Sequence, residues 1–221
     1  MSEREFVDFF VKTGKEIHYK KNGIIIRPED PPTGVYLVKK GYIRIYSITQ
    51  DGTIKIHILY KPGDVFPLTW ALINEQKKLY YEAMNDTVLY RMKKDKFLDV
   101  IRFTHNFTLI LLKMITVDFS VFSDRVDDLE ISKTYPRIVS CLLFLAKHYG
   151  QSLQPKEGCT ADSCLIEAPV TQQDVANFSS MTRETASREI SVLEKKKIIS
   201  YKDHLIVINS LKKLNNEMAK E

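Results

Sequence analysis

The sequence predicts an α+β fold: an amino-terminal antiparallel β-roll of the jelly-roll kind, a long helix, and a carboxy-terminal winged helix-turn-helix. Three features carry that reading. Short β-type segments cut by glycine turns fill the chain up to about Met92; the apolar period lengthens from two to between three and four after Lys94; and a helix, tight turn, helix and hairpin follow one another from Thr171. The corresponding boundaries are 1–103 for the roll, 104–131 for the long helix and 132–221 for the last domain.

Within the roll, Ile24–Ile26, Val35–Val38, Tyr42–Tyr46, Ile54–Leu59 and Thr87–Tyr90 are rich in β-branched and aromatic residues, several in strict alternation. Lys40-Gly41, Gln50-Asp51-Gly52 and Lys61-Pro62-Gly63-Asp64 stand between them, where glycine supplies the positive φ of a tight turn. In the long helix, Leu112, Ile115, Phe119, Phe122, Val126 and Leu129 recur in steps of three and four and so share one stripe. From Ser123 onward Asp124, Arg125, Asp127, Asp128 and Glu130 surround that lone seam, which predicts a two-helix dimer interface. A second stripe, Phe107, Ile110, Met114, Val117 and Val121, calls for a partner inside the domain. After Tyr135-Pro136-Arg137, Arg137–Tyr149 reads as an amphipathic helix stopped by Gly150, Gln151–Ser163 as a loop, and Leu165–Val170 as a short strand.

With 44% apolar and 28% charged residues among 221, the chain is neither disordered nor of membrane composition. The most apolar stretch, Phe107 to Phe122, is broken by Lys113 and Asp118, and no run near Met1 has the shape of a signal peptide, so the expected location is the cytoplasm. A net charge of +5 decides nothing by itself. Cys141, Cys159 and Cys164 are too few for a disulfide framework and form no zinc-type pair; Cys159 and Cys164 bracket a loop, where reduced thiols are expected and a thiol switch is the alternative.

Thr171-Gln172-Gln173-Asp174 has the form of a capped helix start. A helix through Val175, Ala176 and Phe178 follows, Ser179-Ser180-Met181 interrupts it, and Thr182 with Thr185 opens a second helix bearing Ala186, Ile190 and Leu193 on its apolar side. This geometry lays one helix across a phosphate backbone while the next enters a major groove. Arg183, Glu184, Ser187 and Arg188 occupy the opposite face of the second helix. Arginine donates twice to guanine and a carboxylate accepts from cytosine, so the set suits G·C pairs; a surface ion pair between Glu184 and Arg188 is the plainer explanation. Lys195-Lys196-Lys197 is a phosphate-contact candidate, Lys196 foremost, with plain solvation as the alternative, and Ile198–Tyr201 with Leu205–Ile208 forms a hairpin wing.

These residues resemble the cyclic-AMP receptor protein and fumarate-nitrate reduction regulator superfamily of bacteria. The likeness rests on Thr171–Ala176 followed by Thr182–Arg188, on Val35–Gly41 and on Pro62-Gly63-Asp64, and it spans nearly the whole chain. It implies a cyclic-nucleotide-binding-like roll, dimerisation through the long helix, and a small-molecule effector held between the two. It also implies double-stranded DNA as the partner, with RNA polymerase as a further one. Arg183, Glu184 and Arg188 would be the base readers and Ser187 an auxiliary contact, with Thr171, Thr182 and Thr185 in the same DNA-facing set.

The chain departs from that pattern in its roll. Cyclic-nucleotide binders carry a Gly-Glu pair after the Pro-Gly-Asp turn and then an arginine for the cyclic phosphate. Here the stretches are Val65–Trp70 and Lys77–Tyr81, and no arginine lies between Arg44 and Arg91, so cyclic AMP is not the expected effector. Iron-sulfur members need clustered amino-terminal cysteines, whereas the first here is Cys141; a haem would have only His57 on a predicted roll strand. Neither cofactor is expected. Phe66, Leu68, Trp70, Tyr80 and Tyr81 are candidates to line an apolar effector pocket, with core packing as the alternative. His18, His57, His105, His148 and His204 are scattered, with no His-x-His pair and no nucleophile motif, so neither catalysis nor a metal site is expected. A ligand-binding module acting on a protein partner is the second reading; it accounts for the roll but not for Thr171 to Arg188 and a wing.

Overall fold

The computed structural model describes residues 3–153 and 161–219. By its internal contacts the chain divides into two compact units, 1–47 with 57–120 and 48–56 with 121–221. This differs from the boundaries expected at 103/104 and 131/132, because the long helix is shared between the two packing bodies instead of forming one of its own.

The first unit begins with helix α1 (Glu3–Thr13) and strands β1 (Lys15–Tyr19), β2 (Ile24–Ile26), β3 (Val35–Lys40), β4 (Ile43–Ile48) and β5 (Ile54–Tyr60), of which residues 48 and 54–56 count with the second. It continues through β6 (Val65–Phe66), helix α2 (Leu68–Ile73), β7 (Tyr80–Ala83), β8 (Thr87–Met92) and helix α3 (Lys94–Phe103). The strands form two four-stranded sheets, β1-β8-β3-β6 and β2-β7-β4-β5. The pairings are antiparallel, as between Tyr36 and Arg91 or Ile45 and Tyr81. The predicted strands are present; β1, β6 and β7 are additions.

Phe6 and Phe10 of α1, Val35 and Leu37 of β3, Tyr90 and Met92 of β8 and Phe97 of α3 share one buried cluster with the first turns of helix α4 (His105–Glu130). There Phe107 meets Phe6 and Phe9 at ring separations of 5.1 and 5.3 Å. Phe107 and Ile110 of the second apolar stripe are buried and Met114 packs against the same cluster, so the start of that stripe has its partner within the unit, whereas Val117 is 60% exposed. By length and composition α4 is also apolar enough to cross a membrane, with mean hydropathy 1.4 over His105–Val126.

The second unit holds α5 (Thr134–Tyr149), β9 (Gly150–Ser152), β10 (Cys164–Ile166), α6 (Gln172–Phe178), α7 (Arg183–Lys195), β11 (Ile199–Lys202), β12 (Leu205–Ile208) and α8 (Leu211–Asn216). Its sheet order is β11-β12-β10-β9. The expected loop after Gly150 therefore starts as a strand, held by β10, and Cys159 lies outside the described residues. Leu142, Leu145, Ile166, Val175, Phe178, Ile190, Leu193, Ile208 and Leu214 are fully buried and form its core.

The last turns of α4 belong to this unit. Arg125 is buried between the rings of Phe144 and Phe178, 5.2 Å from each centroid, and donates to the Phe178 carbonyl at the end of α6. Asp124 accepts from Lys147 at 2.6 Å and meets His148 at 3.1 Å, and these two partners hold its carboxyl below the usual carboxylate range.

Candidate nucleic-acid interface

Thr171 caps α6 with a reciprocal capping box. Its hydroxyl accepts from the Asp174 amide at 3.1 Å, while its own amide donates to Asp174 Oδ2 at 2.9 Å. The box fixes where α6 starts, and Val175, Ala176 and Phe178 then point into the core. The helix ends at Ser179, whose amide bonds Val175, and Ser180 takes a φ of 50° to turn the chain back. Thr182 caps α7 by accepting from the Thr185 amide at 3.3 Å. Ala186, Ile190 and Leu193, all fully buried, clamp α7 onto the core and so fix which face of the helix looks outward.

That outward face carries Arg183, Glu184 and Arg188, all exposed, with Ser187 half-buried beside them. Glu184 and Arg183 have no side-chain hydrogen bond or ion pair among the described residues. Arg188 makes only a loose contact with Glu189, 3.8 Å away, and its side chain is 70% exposed. The Glu184–Arg188 ion pair that the spacing allows is therefore not formed. Polar groups left facing water at the start of a helix, with no internal partner to break, are free to exchange water for base edges.

Lys196 is placed differently. Its ammonium lies 2.5 Å from Glu217 Oε2 and 3.1 Å from the Tyr135 hydroxyl, and 5.0 Å over the Tyr135 ring. Glu217 is 3% exposed and also accepts from Tyr135 at 2.6 Å, so Lys196 neutralises a buried carboxylate beyond α8. Lys196, expected at phosphate, is thus tied into the fold through Glu217 and Tyr135. Lys195 and Lys197, its neighbours, are exposed and have no side-chain partner among the described residues. The signal in the sequence was weak, since Glu217 and Tyr135 are far from Lys196 along the chain. The wing closes on Asp203 and His204, with φ of 50° and 65°, the primed geometry of a two-residue hairpin, in register from Lys202 with Leu205 to Ile199 with Ile208.

In the roll, the aromatic effector candidates pack against different neighbours. Phe66 is fully buried and stacks on Tyr36, Tyr60 and Tyr81 at 5.2 to 5.5 Å; Tyr80 stacks on Tyr46; Trp70 lies under the Lys94 ammonium; and Leu68 packs on the α1 cluster. Phe66 and Tyr81 are buried in the core, whereas Leu68, Trp70 and Tyr80 are half-buried. His57 is held by Ser47, Nε2 to Oγ 2.9 Å.

On α4 the predicted seam is bare: Leu112, Ile115, Phe119, Phe122 and Val126 are 58, 37, 75, 43 and 60% exposed. The side chain of Leu129 lies outside the described residues.

Residues 16–102 match the cyclic nucleotide-binding domain model and residues 136–217 the Crp-like helix-turn-helix domain model. The chain is 21% identical over 209 residues to the fumarate and nitrate reduction regulatory protein of Yersinia pestis, covering 94% of this chain and 79% of that one. It is 26% identical over 184 residues to the nitrogen fixation regulation protein FixK of Azorhizobium caulinodans, covering 82% and 70%. A solved structure of a CooA mutant from Carboxydothermus hydrogenoformans superposes with a TM-score of 0.78 at 18% identity, covering 99% and 96%. With the roll, the long helix and the winged helix-turn-helix in one order, the chain belongs to the cyclic-AMP receptor protein and fumarate-nitrate reduction regulator superfamily of DNA-binding transcription regulators.

Proposed function

We propose that this regulator works in the cytoplasm as a homodimer that reads an inverted DNA repeat, under control of a small-molecule effector other than cyclic AMP held between roll and α4. The observation that carries the reading is the capped α7 with Arg183, Glu184 and Arg188 exposed and uncommitted on its outer face. Arg183 and Arg188 donate to guanines, Glu184 accepts from a cytosine amino group, and Ser187 assists. Lys195 and Lys197 supply phosphate contacts. No iron-sulfur cluster or haem takes part, and RNA polymerase is the protein partner once DNA is bound.

A second copy covers the bare α4 stripe. Two such stripes facing each other remove the apolar surface that otherwise gives this helix its membrane-like composition. The two-fold pair presents two α7 helices, so half-site centres lie about one helical turn, ~34 Å, apart.

Selection from a random DNA library at one fixed salt concentration tests this. Wild type enriches an inverted repeat with a G·C-dependent core. Phe119→Asp places a charge in the seam, sediments as a monomer and loses the repeat while keeping its fold by circular dichroism. Enrichment of no inverted repeat by wild type, or an undiminished dimer in Phe119→Asp, refutes it.

A further inference from the structure

A cavity of about 360 Å³ lies wholly within the first unit, between the Lys61–Val65 turn and α4. Its apolar wall is Val7, Ile110, Met114 and Val117. The turn is rigid: the amides of Val38 and Gly63 bond Asp64 and Val38 carbonyls at 2.9 Å, and the Lys61 amide donates to Asp64 Oδ2 at 2.8 Å. Gly63 takes a φ of 100°, which keeps the turn tight.

Two carboxylates line this space, Asp64 from the turn and Asp118 from α4. Both are half-buried, whereas Lys61 and Lys113, which also border it, are exposed. Asp118 has no hydrogen bond or ion pair among the described residues. Asp64 already feels the Lys61 charge, so the carboxylate left uncommitted to a molecule entering the space is that of Asp118. The cavity is also separate from the seam. At 3.6 residues per turn, Ile110, Met114 and Val117 sit roughly half a turn of α4 away from Leu112, Ile115 and Phe119, so a second copy on the seam leaves the cavity unfilled.

We infer that this cavity binds a small organic cation, an amine or amidine on an apolar body, whose charge is held between Asp64 and Asp118 while its body lies on Ile110, Met114 and Val117. Burial and mutual repulsion push Asp118 up to about 7 and burial pushes Asp64 up to about 6. A cation relieves both effects, whereas an anion adds to them. Its regulatory meaning rests on the proposed sensor role of the roll: Asp118 lies about two turns of α4 before Arg125, which bonds the end of α6.

The test titrates the full chain with hexylamine, 1-hexanol and hexanoate, equal in carbon number and different in charge, by calorimetry at about pH 8 without DNA, where both carboxylates are ionised. Hexylamine binds at least about tenfold more tightly than either other probe, and Asp118→Asn, close to isosteric, removes that preference. Hexanoate binding as tightly as hexylamine, a preference that survives Asp118→Asn, or no binding of any probe at millimolar concentration overturns the inference. The DNA selection above uses no amine, so failure here leaves the DNA reading standing, and the reverse holds too.

Discussion

The two ends of α7 carry basic side chains that look alike in the sequence and behave oppositely in the fold. In its first two turns Arg183 and Arg188 stand on the solvent face with almost nothing to hold them. Just past its last turn Lys196 is bound to Glu217 and Tyr135. The buried groups on each side make the difference. The first turns look into solvent, whereas the residue that ends the helix meets Glu217, a buried acid just past α8 that needs a counter-charge. A lysine cluster is therefore not a phosphate site until its neighbours in space are known.

Lys196→Ala has the largest expected effect on this contrast. It strips a buried carboxylate of its cation while Tyr135 still donates, and lowers stability by about 2–3 kcal/mol, discounted because the lysine itself is partly exposed. In thermal unfolding the midpoint falls by roughly 5–10 °C, while affinity for the selected site at fixed salt stays close to wild type. A variant as stable as wild type that binds all DNA weakly would restore the phosphate role.

Arg188→Ala comes next and inverts the pattern. Binding to the selected site weakens by about 1–3 kcal/mol and preference at one guanine relaxes, with the melting temperature unchanged because the side chain is 70% exposed. Equal weakening on matched and mismatched sites would make it a backbone contact.

Asp118→Asn carries the contrast between free and committed charges into the first unit. An acid whose folded pKa is raised stabilises the fold fully below its unfolded value, near 3.8, and that contribution is lost as pH rises through the folded value of about 7. The asparagine variant is therefore more stable than wild type above neutrality, by about 1–2 kcal/mol, and the advantage fades toward pH 4. Denaturant midpoints across that pH window check it; a difference that does not change with pH would show that Asp118 is solvated.

The smallest effect is at the wing. His204 sits at a φ of 65°, so His204→Gly relieves left-handed strain and raises stability by up to about 1 kcal/mol, read by the same unfolding assay. A loss of stability would mean that the imidazole is used.

Much of this was legible without coordinates, for identifiable reasons. Ile54–Tyr60 and Ile43–Ile48 announce themselves because alternate residues must face one core. Thr171, Asp174, Thr182 and Thr185 lie close enough along the chain to cap their own helices. What escaped lacks local signal. Strand β1, Lys15–Tyr19, is largely exposed and is a strand because β8 pairs with it from Lys15 with Arg91 to Tyr19 with Thr87; β6 is two residues long and shows no period at all. The aromatic run Phe66 to Tyr81 has the composition of either a pocket or a core, and only the packed chain shows Phe66 buried and stacked on Tyr36, Tyr60 and Tyr81.

The sequence by itself determined the order of roll, long helix and winged helix-turn-helix, the stripe on α4 and the outward face of α7, because each follows from spacing within one element and the chain's own periodicity. Only the tertiary structure decided which charges are spent. Lys196 on Glu217, Arg125 between Phe144 and Phe178, and Asp64 facing the same cavity as Asp118 pair residues far apart along the chain. The physical reason is that the energy of a charge depends on burial and on what lies within a few ångströms, and both are properties of the packed chain.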